Sequence, residues 1–160
     1  MSATIPLLLV WGVLVGLDLV TVSQIMIARP LVAGSVAGVI LGDPLSGGLV
    51  GIVLELFALD ILPAGAAKYP DYGLGAIAGA ATVAGAPDVL ALGLAVMVGL
   101  VIASLGGAAI QVVRRLNAAD LRGREKAVDR GDPRVVAVVQ YRGVARDMAR
   151  ALLVTAAGLG

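Results

Sequence analysis

The chain has 160 residues, 59% of them hydrophobic and 14% charged, with a formal net charge of +1. Its mean hydropathy of +1.00 lies far above soluble-domain usage, so lipid is the expected solvent; a soluble bundle would need a charged outer face on each helix, and none exists before Arg114. There is no Cys and no His, which excludes disulfides, thiolate nucleophiles, cysteine metal sites and imidazole chemistry, and leaves any phosphohistidine relay to another protein.

The N-terminal stretch lacks a basic n-region, and its apolar run outlasts a signal peptide's core, so it reads as a retained helix. Residues 5–28, with one acid at Asp18, are long enough at about 1.5 Å per residue to cross a hydrocarbon core of about 30 Å. Residues 30–42 are charge-free but give only about 20 Å of helix. Something must interrupt the crossing there, and Gly42-Asp43-Pro44 does so: Gly suits a helix C-terminus, Asp caps the next helix and Pro fits its first turn. Residues 45–62 carry Glu55 and Asp60 inside apolar sequence and are ended by Pro63 and Gly65. The stretch from Pro63 through Pro70 to Gly73 is irregular backbone, which must be shielded by protein or face water.

Residues 73–86 predict a second half-helix, ended by Pro87, and residues 89–113 predict a full crossing of roughly 37 Å. Ten of the twelve Lys and Arg residues fall between Arg114 and Arg150, so the positive-inside rule puts the charged connection in the cytoplasm. Beyond it, Arg142, Arg146 and Arg150 recur at helical spacing, a basic stripe suited to the membrane surface or to the start of another crossing. The predicted organisation is a core of transmembrane and re-entrant helices (1–116), a charged cytoplasmic connection (117–134) and an amphipathic segment (135–160) that stops inside apolar sequence, as the front part of a longer protein would. The fold class is an all-α membrane protein with broken or re-entrant half-helices.

Gly34, Gly38 and Gly42, Gly47 with Gly51, and Gly75 with Gly79 each lie along one helix stripe, the pattern of close helix packing. The polar groups Asp18, Gln24, Glu55 and Asp60 carry more information, because a carboxylate at mid-bilayer costs several kcal/mol unless paired, hydrated or protonated. Glu55 sits beside a helix break, where transporters build substrate sites, and an ionised carboxylate is a natural grip for polyol hydroxyls. The other reading of Glu55 is a structural pair with Arg29 or Lys68. Asp43 and Asp71 each adjoin a proline at a break and could serve only as caps. Metal-ligand spacings, phosphate loops and nucleophile elbows are absent, so no cofactor, metal, nucleic acid or freestanding catalysis is expected.

In RPLVAG, LGDPLSGGLVGIVLELFAL and LPAGAAKYPD, taken in this order and spacing, the chain resembles the IIC subunit of the mannose-fructose-sorbose family of phosphotransferase systems. The likeness runs from about Gly16 to Arg115. It includes Asp18 and Gln24 ahead of Arg29-Pro30, the Gly42-Asp43 break, Leu54-Glu55, and the loop from Gly65-Ala66-Ala67 to Pro70-Asp71. The resemblance implies a multi-pass subunit of the bacterial inner membrane, oligomeric and paired with a IID subunit. Such a subunit binds a hexose-type sugar and passes it inward for phosphorylation by soluble IIA and IIB components, by an elevator-like displacement. It also implies Glu55 and Asp71 nearest the sugar, with Asp18, Gln24, Gly65 and Ala66 in support. Family subunits are substantially longer, and Asp60 and Lys68 are charged where many relatives are not; an ion pair between them would satisfy both.

Two other functions fit the residues. One is half of an ion- or proton-coupled transporter with Glu55 and Asp60 as coupling carboxylates, separable by a requirement for a pH gradient. The other is a non-transporting membrane scaffold, in which Glu55→Gln would leave sugar binding unchanged.

Overall fold

The computed structural model describes residues 3–21, 24–61, 67–85 and 88–160. Every regular element among them is helical: α1 (Thr4–Val20), α2 (Pro30–Leu41), α3 (Pro44–Ala58), α4 (Tyr72–Val83), α5 (Val89–Arg122), α6 (Glu125–Asp129) and α7 (Pro133–Leu159). Among the described residues, α5 is the one helix both long and apolar enough to cross a membrane, whereas α1 to α4 are shorter apolar helices. The all-helical architecture with interrupted elements fits the expected fold class, while α1 falls short of the full crossing expected of residues 5–28.

The first helix is shorter than the predicted 5–28. Asp18 gives the reason: its two carboxylate oxygens accept the backbone N–H groups of Ile25 (2.7 Å) and Ala28 (3.1 Å). The chain therefore folds back over that carboxylate after Val20 instead of continuing the helix. Gln24 and Met26 take φ of 50° and 72°, a left-handed conformation that side chains other than Gly rarely adopt.

The Gly42 break forms as its sequence predicts. Gly42 adopts φ 81°, which lets its own N–H reach the Val39 carbonyl at 3.2 Å and the Asp43 N–H reach the Gly38 carbonyl at 2.8 Å. Asp43 then caps α3 by accepting Ser46 N–H at 3.1 Å, and Pro44 opens the helix. α2 and α3 consequently form an antiparallel hairpin. Their glycines meet: a Cβ on Gly34 would lie 2.7 Å from the Gly47 carbonyl oxygen, and one on Gly51 2.7 Å from that of Pro30. α3 ends at Ala58, ahead of Asp60; Pro63, Gly65 and Ala66 lie outside the described residues.

α4 is the hub of the bundle, packed on α1, α2, α3, α5 and α7. Residues 73–80 and Val83 are buried, and the sequence permits this because Gly and Ala alternate around Leu74 and Ile77. A Cβ on Gly79 would stand 2.8 Å from the Ala95 carbonyl oxygen on α5, so these helices touch backbone to backbone. α1 joins the hairpin through Trp11, whose indole N–H donates to the Ala33 carbonyl at 3.0 Å.

The charged connection is itself helical. α5 runs unbroken to Arg122, the single turn of α6 follows, and Asp132 caps α7 by accepting Arg134 N–H at 3.0 Å. α7 packs back along α1, α5 and α4. Within the arginine stripe, Arg142 and Arg146 reach Asp120 at 3.4 and 3.1 Å, and Arg150 is buried. The carboxylates that pair with the stripe are Asp120 on α5, Asp71 on α4 and Asp147 on α7 itself.

Candidate functional site

One cavity has a volume of about 470 Å³, within the range of roughly 300–1,000 Å³ typical of small-molecule sites. Its polar wall comprises Asp18, Gln24, Arg29, Tyr69, Tyr72 and Arg114. Two half-helices begin at this cavity, α2 with Arg29 and Pro30 and α4 with Pro70, Tyr72 and Gly73. Both left-handed residues, Gln24 and Met26, also line it. Strained backbone of this kind persists where surrounding structure imposes it, and it concentrates at ligand sites.

Each half-helix start is tied down by a carboxylate behind the wall. Glu55 on α3 accepts the Leu31 N–H of α2 at 3.2 Å and forms an ion pair with Arg29. Asp71 caps α4, accepting Leu74 N–H at 3.2 Å, and its own N–H donates to the Ala103 carbonyl of α5 at 2.8 Å. Gly106 on α5 permits that approach, since a Cβ there would meet the Asp71 Cβ at 2.7 Å.

Asp71 also belongs to a buried ionic network. Arg150 on α7 donates to Asp71 at 2.6 Å, to Asp147 at 2.6 Å and to the Gly16 carbonyl at 2.9 Å, while Thr21 donates its hydroxyl to Asp147. Guanidinium geometry suits this, because its fork of donors can serve two carboxylates and a carbonyl at once. The network ties α1, α4 and α7 together behind the cavity.

Of the residues singled out from sequence, Asp18, Gln24 and Pro70 line the cavity, while Glu55 and Asp71 do not and instead hold the helix starts that do. Gly42, Asp43 and Pro44 form the break between α2 and α3. Gly65, Ala66 and Pro63 lie outside the described residues. The pairing of Glu55 with Arg29 is one of the two partners considered for it. Asp60 and Lys68 are both exposed, and among the described residues no ion pair joins them.

Sequence reading missed Arg29, Tyr69, Tyr72 and Arg114 as wall residues, and Asp147 with Arg150 as a buried pair. A usable signal existed for the tyrosines: the chain has three, and two flank the Pro70-Asp71 break. Arg150 carried a weaker one, its i,i+3 spacing from Asp147 just before an apolar run.

The family described as the PTS system sorbose-specific IIC component matches residues 3–159. A sorbose-specific EIIC component of the same phosphotransferase class from Lacticaseibacillus casei is 43% identical over 70 residues, 44% of this chain and 25% of that protein. The mannose-specific EIIC component of Escherichia coli (strain K12) is 33% identical over 104 residues, 65% of this chain and 38% of that protein. Among solved structures, one of the mannose transporter ManYZ with microcin E492 superimposes with a TM-score of 0.81 at 23% identity, covering 99% of this chain and 64% of that one. The chain thus spans less than two thirds of each of these relatives.

Proposed function

We propose, of a chain that belongs to the family of phosphotransferase-system sorbose-specific IIC components, that it forms the sugar-binding part of a IIC subunit. It takes a hexose-type sugar into the cavity walled by Asp18, Gln24, Arg29, Tyr69 and Tyr72 and delivers it for phosphorylation by IIB. The reading includes a IID membrane partner, soluble IIA and IIB components and a multi-pass position in the bacterial inner membrane. The chain contributes binding and passage and no chemistry, since the phosphohistidines reside on the soluble components.

The observation that carries this reading is the convergence of two half-helix starts and a left-handed segment on one polar cavity. Lipid tolerates irregular backbone only where protein or a water-filled space satisfies it, and discontinuous helices meeting at a cavity are the usual construction of a transporter's substrate site. The wall mixes donors (Arg29, the tyrosine hydroxyls) with acceptors (Asp18, the Gln24 carbonyl), as a polyol requires. Glu55 and Asp71 act as positioning residues, fixing the helix starts from behind.

The test is phosphoenolpyruvate-dependent phosphorylation of a sugar panel by membranes containing this chain, a IID partner and the soluble components. Gln24→Ala and Tyr72→Phe should each lower kcat/KM by roughly tenfold, the value of about one lost hydrogen bond, with membrane insertion unchanged. Absence of any sugar phosphate from an intact partner set would leave the scaffold reading standing.

A further inference from the structure

A second cavity, of about 290 Å³, lies between the end of α1, the polar part of α5, and α7. Its polar wall is Thr21, Arg114, Asn117, Gln140 and Asp147, and it shares Val20 and Arg114 with the first cavity. Arg114 is held from the other side: it donates to the Ala67 carbonyl at 2.9 Å and to the Tyr69 hydroxyl at 3.1 Å, with its guanidinium 5.4 Å from the centre of that ring. Arg114, together with Val20, therefore lines both polar chambers.

The wall of the second chamber has hydrogen-bonding capacity to spare. Asn117 spends its carbonyl oxygen on Arg146 at 2.9 Å, which leaves its amide N–H groups for the cavity. Gln140 brings an exposed amide, and Asp147, only 3% exposed, brings a carboxylate fixed by Thr21 and Arg150. Interleaved donors and acceptors fit adjacent hydroxyls. An inorganic anion would meet the buried Asp147, and an apolar ligand would cover the Asn117 amide without pairing it. Space is left by Gly143, where an added Cβ would meet nothing nearer than Asn117 at 3.6 Å.

We infer that this second cavity is a separate binding station for a sugar, at the arginine-rich end of the bundle, and that Arg114 is the partition between it and the first. The inference rests on the sugar-binding reading above and extends it from one site to two. Asn117 and Gln140 hold the hydroxyls, and Tyr69 keeps the partition in place until the sugar moves on.

The chain has no cysteine, so single thiols report each chamber separately: Gly143→Cys in the second and Ala58→Cys in the first. Their labelling by a small thiosulfonate reagent is followed in membranes containing the full chain and its partners, over a titration of mannose and sorbose. Both should slow, by about tenfold at ten times the half-protecting concentration, because only about one site in eleven is then free. Asn117→Ala or Gln140→Ala should abolish protection at Gly143→Cys and spare it at Ala58→Cys. Half-protecting concentrations should differ between the two reporters and converge in Arg114→Ala. Protection at Ala58→Cys alone would overturn the second station, as would protection at Gly143→Cys that survives both amide substitutions, which would signal distant closure. Equal half-protecting concentrations, unmoved by Arg114→Ala, would overturn the partition. If neither thiol is protected by any sugar, the sugar-binding reading itself fails and takes this inference with it.

Discussion

Arg150 and Asp71 stand 79 residues apart in the chain and 2.6 Å apart in the structure, as an ion pair with side chains only 2% and 0% exposed. One end of the pair is the cap of the central helix α4, the other lies on α7, and Asp147 joins them from the next turn of α7. A charge placed there is tolerable only because every partner is present.

Arg150→Leu would leave Asp71 and Asp147 buried without a counter-ion. The expected loss is about 3–5 kcal/mol, the typical cost of breaking a buried pair from one side, seen as a large drop in the unfolding temperature of the detergent-purified protein. Arg150→Lys should fall between, since an ammonium cannot reproduce the forked contacts to two carboxylates and the Gly16 carbonyl. A parent-like melting temperature in Arg150→Leu would refute the structural weight given to the network.

Glycines facing backbone should behave differently from those facing open space. Gly79→Val would drive a side chain into the Ala95 carbonyl of α5, and neither helix backbone can yield without moving the bundle; overpacking of this kind costs about 1–3 kcal/mol or more. Gly93, on the same α5, has nothing within 4 Å of an added Cβ, so Gly93→Ala should be neutral or stabilising by up to about 1 kcal/mol through helix propensity. Thermal stability of the two variants measured side by side checks the contrast.

Glu55 has two bonds to lose. Glu55→Ala removes both the cap on Leu31 and the partner of Arg29, and should cost about 1–3 kcal/mol in stability. Glu55→Gln keeps an acceptor for Leu31 and releases only Arg29. If Glu55 positions the wall and does not touch sugar, Glu55→Gln should raise KM for sugar phosphorylation with kcat nearly intact, and Arg29→Ala should reproduce that pattern.

Asp120, on the arginine-rich end of α5 beyond the apolar span, supplies a pH-dependent contribution. The Arg124 hydrogen bond, with Arg142 and Arg146 beside it, holds its carboxyl below the usual carboxylate range. A depressed folded-state value means stability that is fully present above the unfolded value of about 3.9 and is lost as pH falls through the folded one. Asp120→Asn should therefore be less stable than the parent at neutral pH, with the gap closing below about pH 4 and shrinking in high salt. Melting temperatures across a pH series decide it, and a gap independent of pH would refute the charge argument.

Much of the fold was legible in the sequence because it depends on local chemistry. Gly42-Asp43-Pro44 ends one helix and starts the next through left-handed backbone, side-chain cap and fixed φ, all contained in three adjacent residues. The apolar run of α5 and the glycine stripes of α2 and α3 declare themselves by composition and spacing, and the likeness to IIC subunits was carried by the same short stretches. The end of α1 was not legible: residues 21–28 are as apolar as a helix needs, and only the folded chain brings the Ile25 and Ala28 amides onto Asp18. The partners of the arginine stripe were not legible for the same reason, since periodicity fixes which residues share a helix face but not what that face meets.

The sequence by itself determined that the chain belongs in lipid, that its helices are interrupted, where the α2–α3 break falls and which glycines pack. Each follows from burial or backbone preference within a few residues. Only the tertiary structure decided which polar groups wall the cavity, that Glu55 and Asp71 stand behind it, and that Arg150 is buried between carboxylates. Those roles arise chiefly from contacts between residues 24 to 134 positions apart, and pairing over such distances is set by how whole helices pack, which no local pattern encodes.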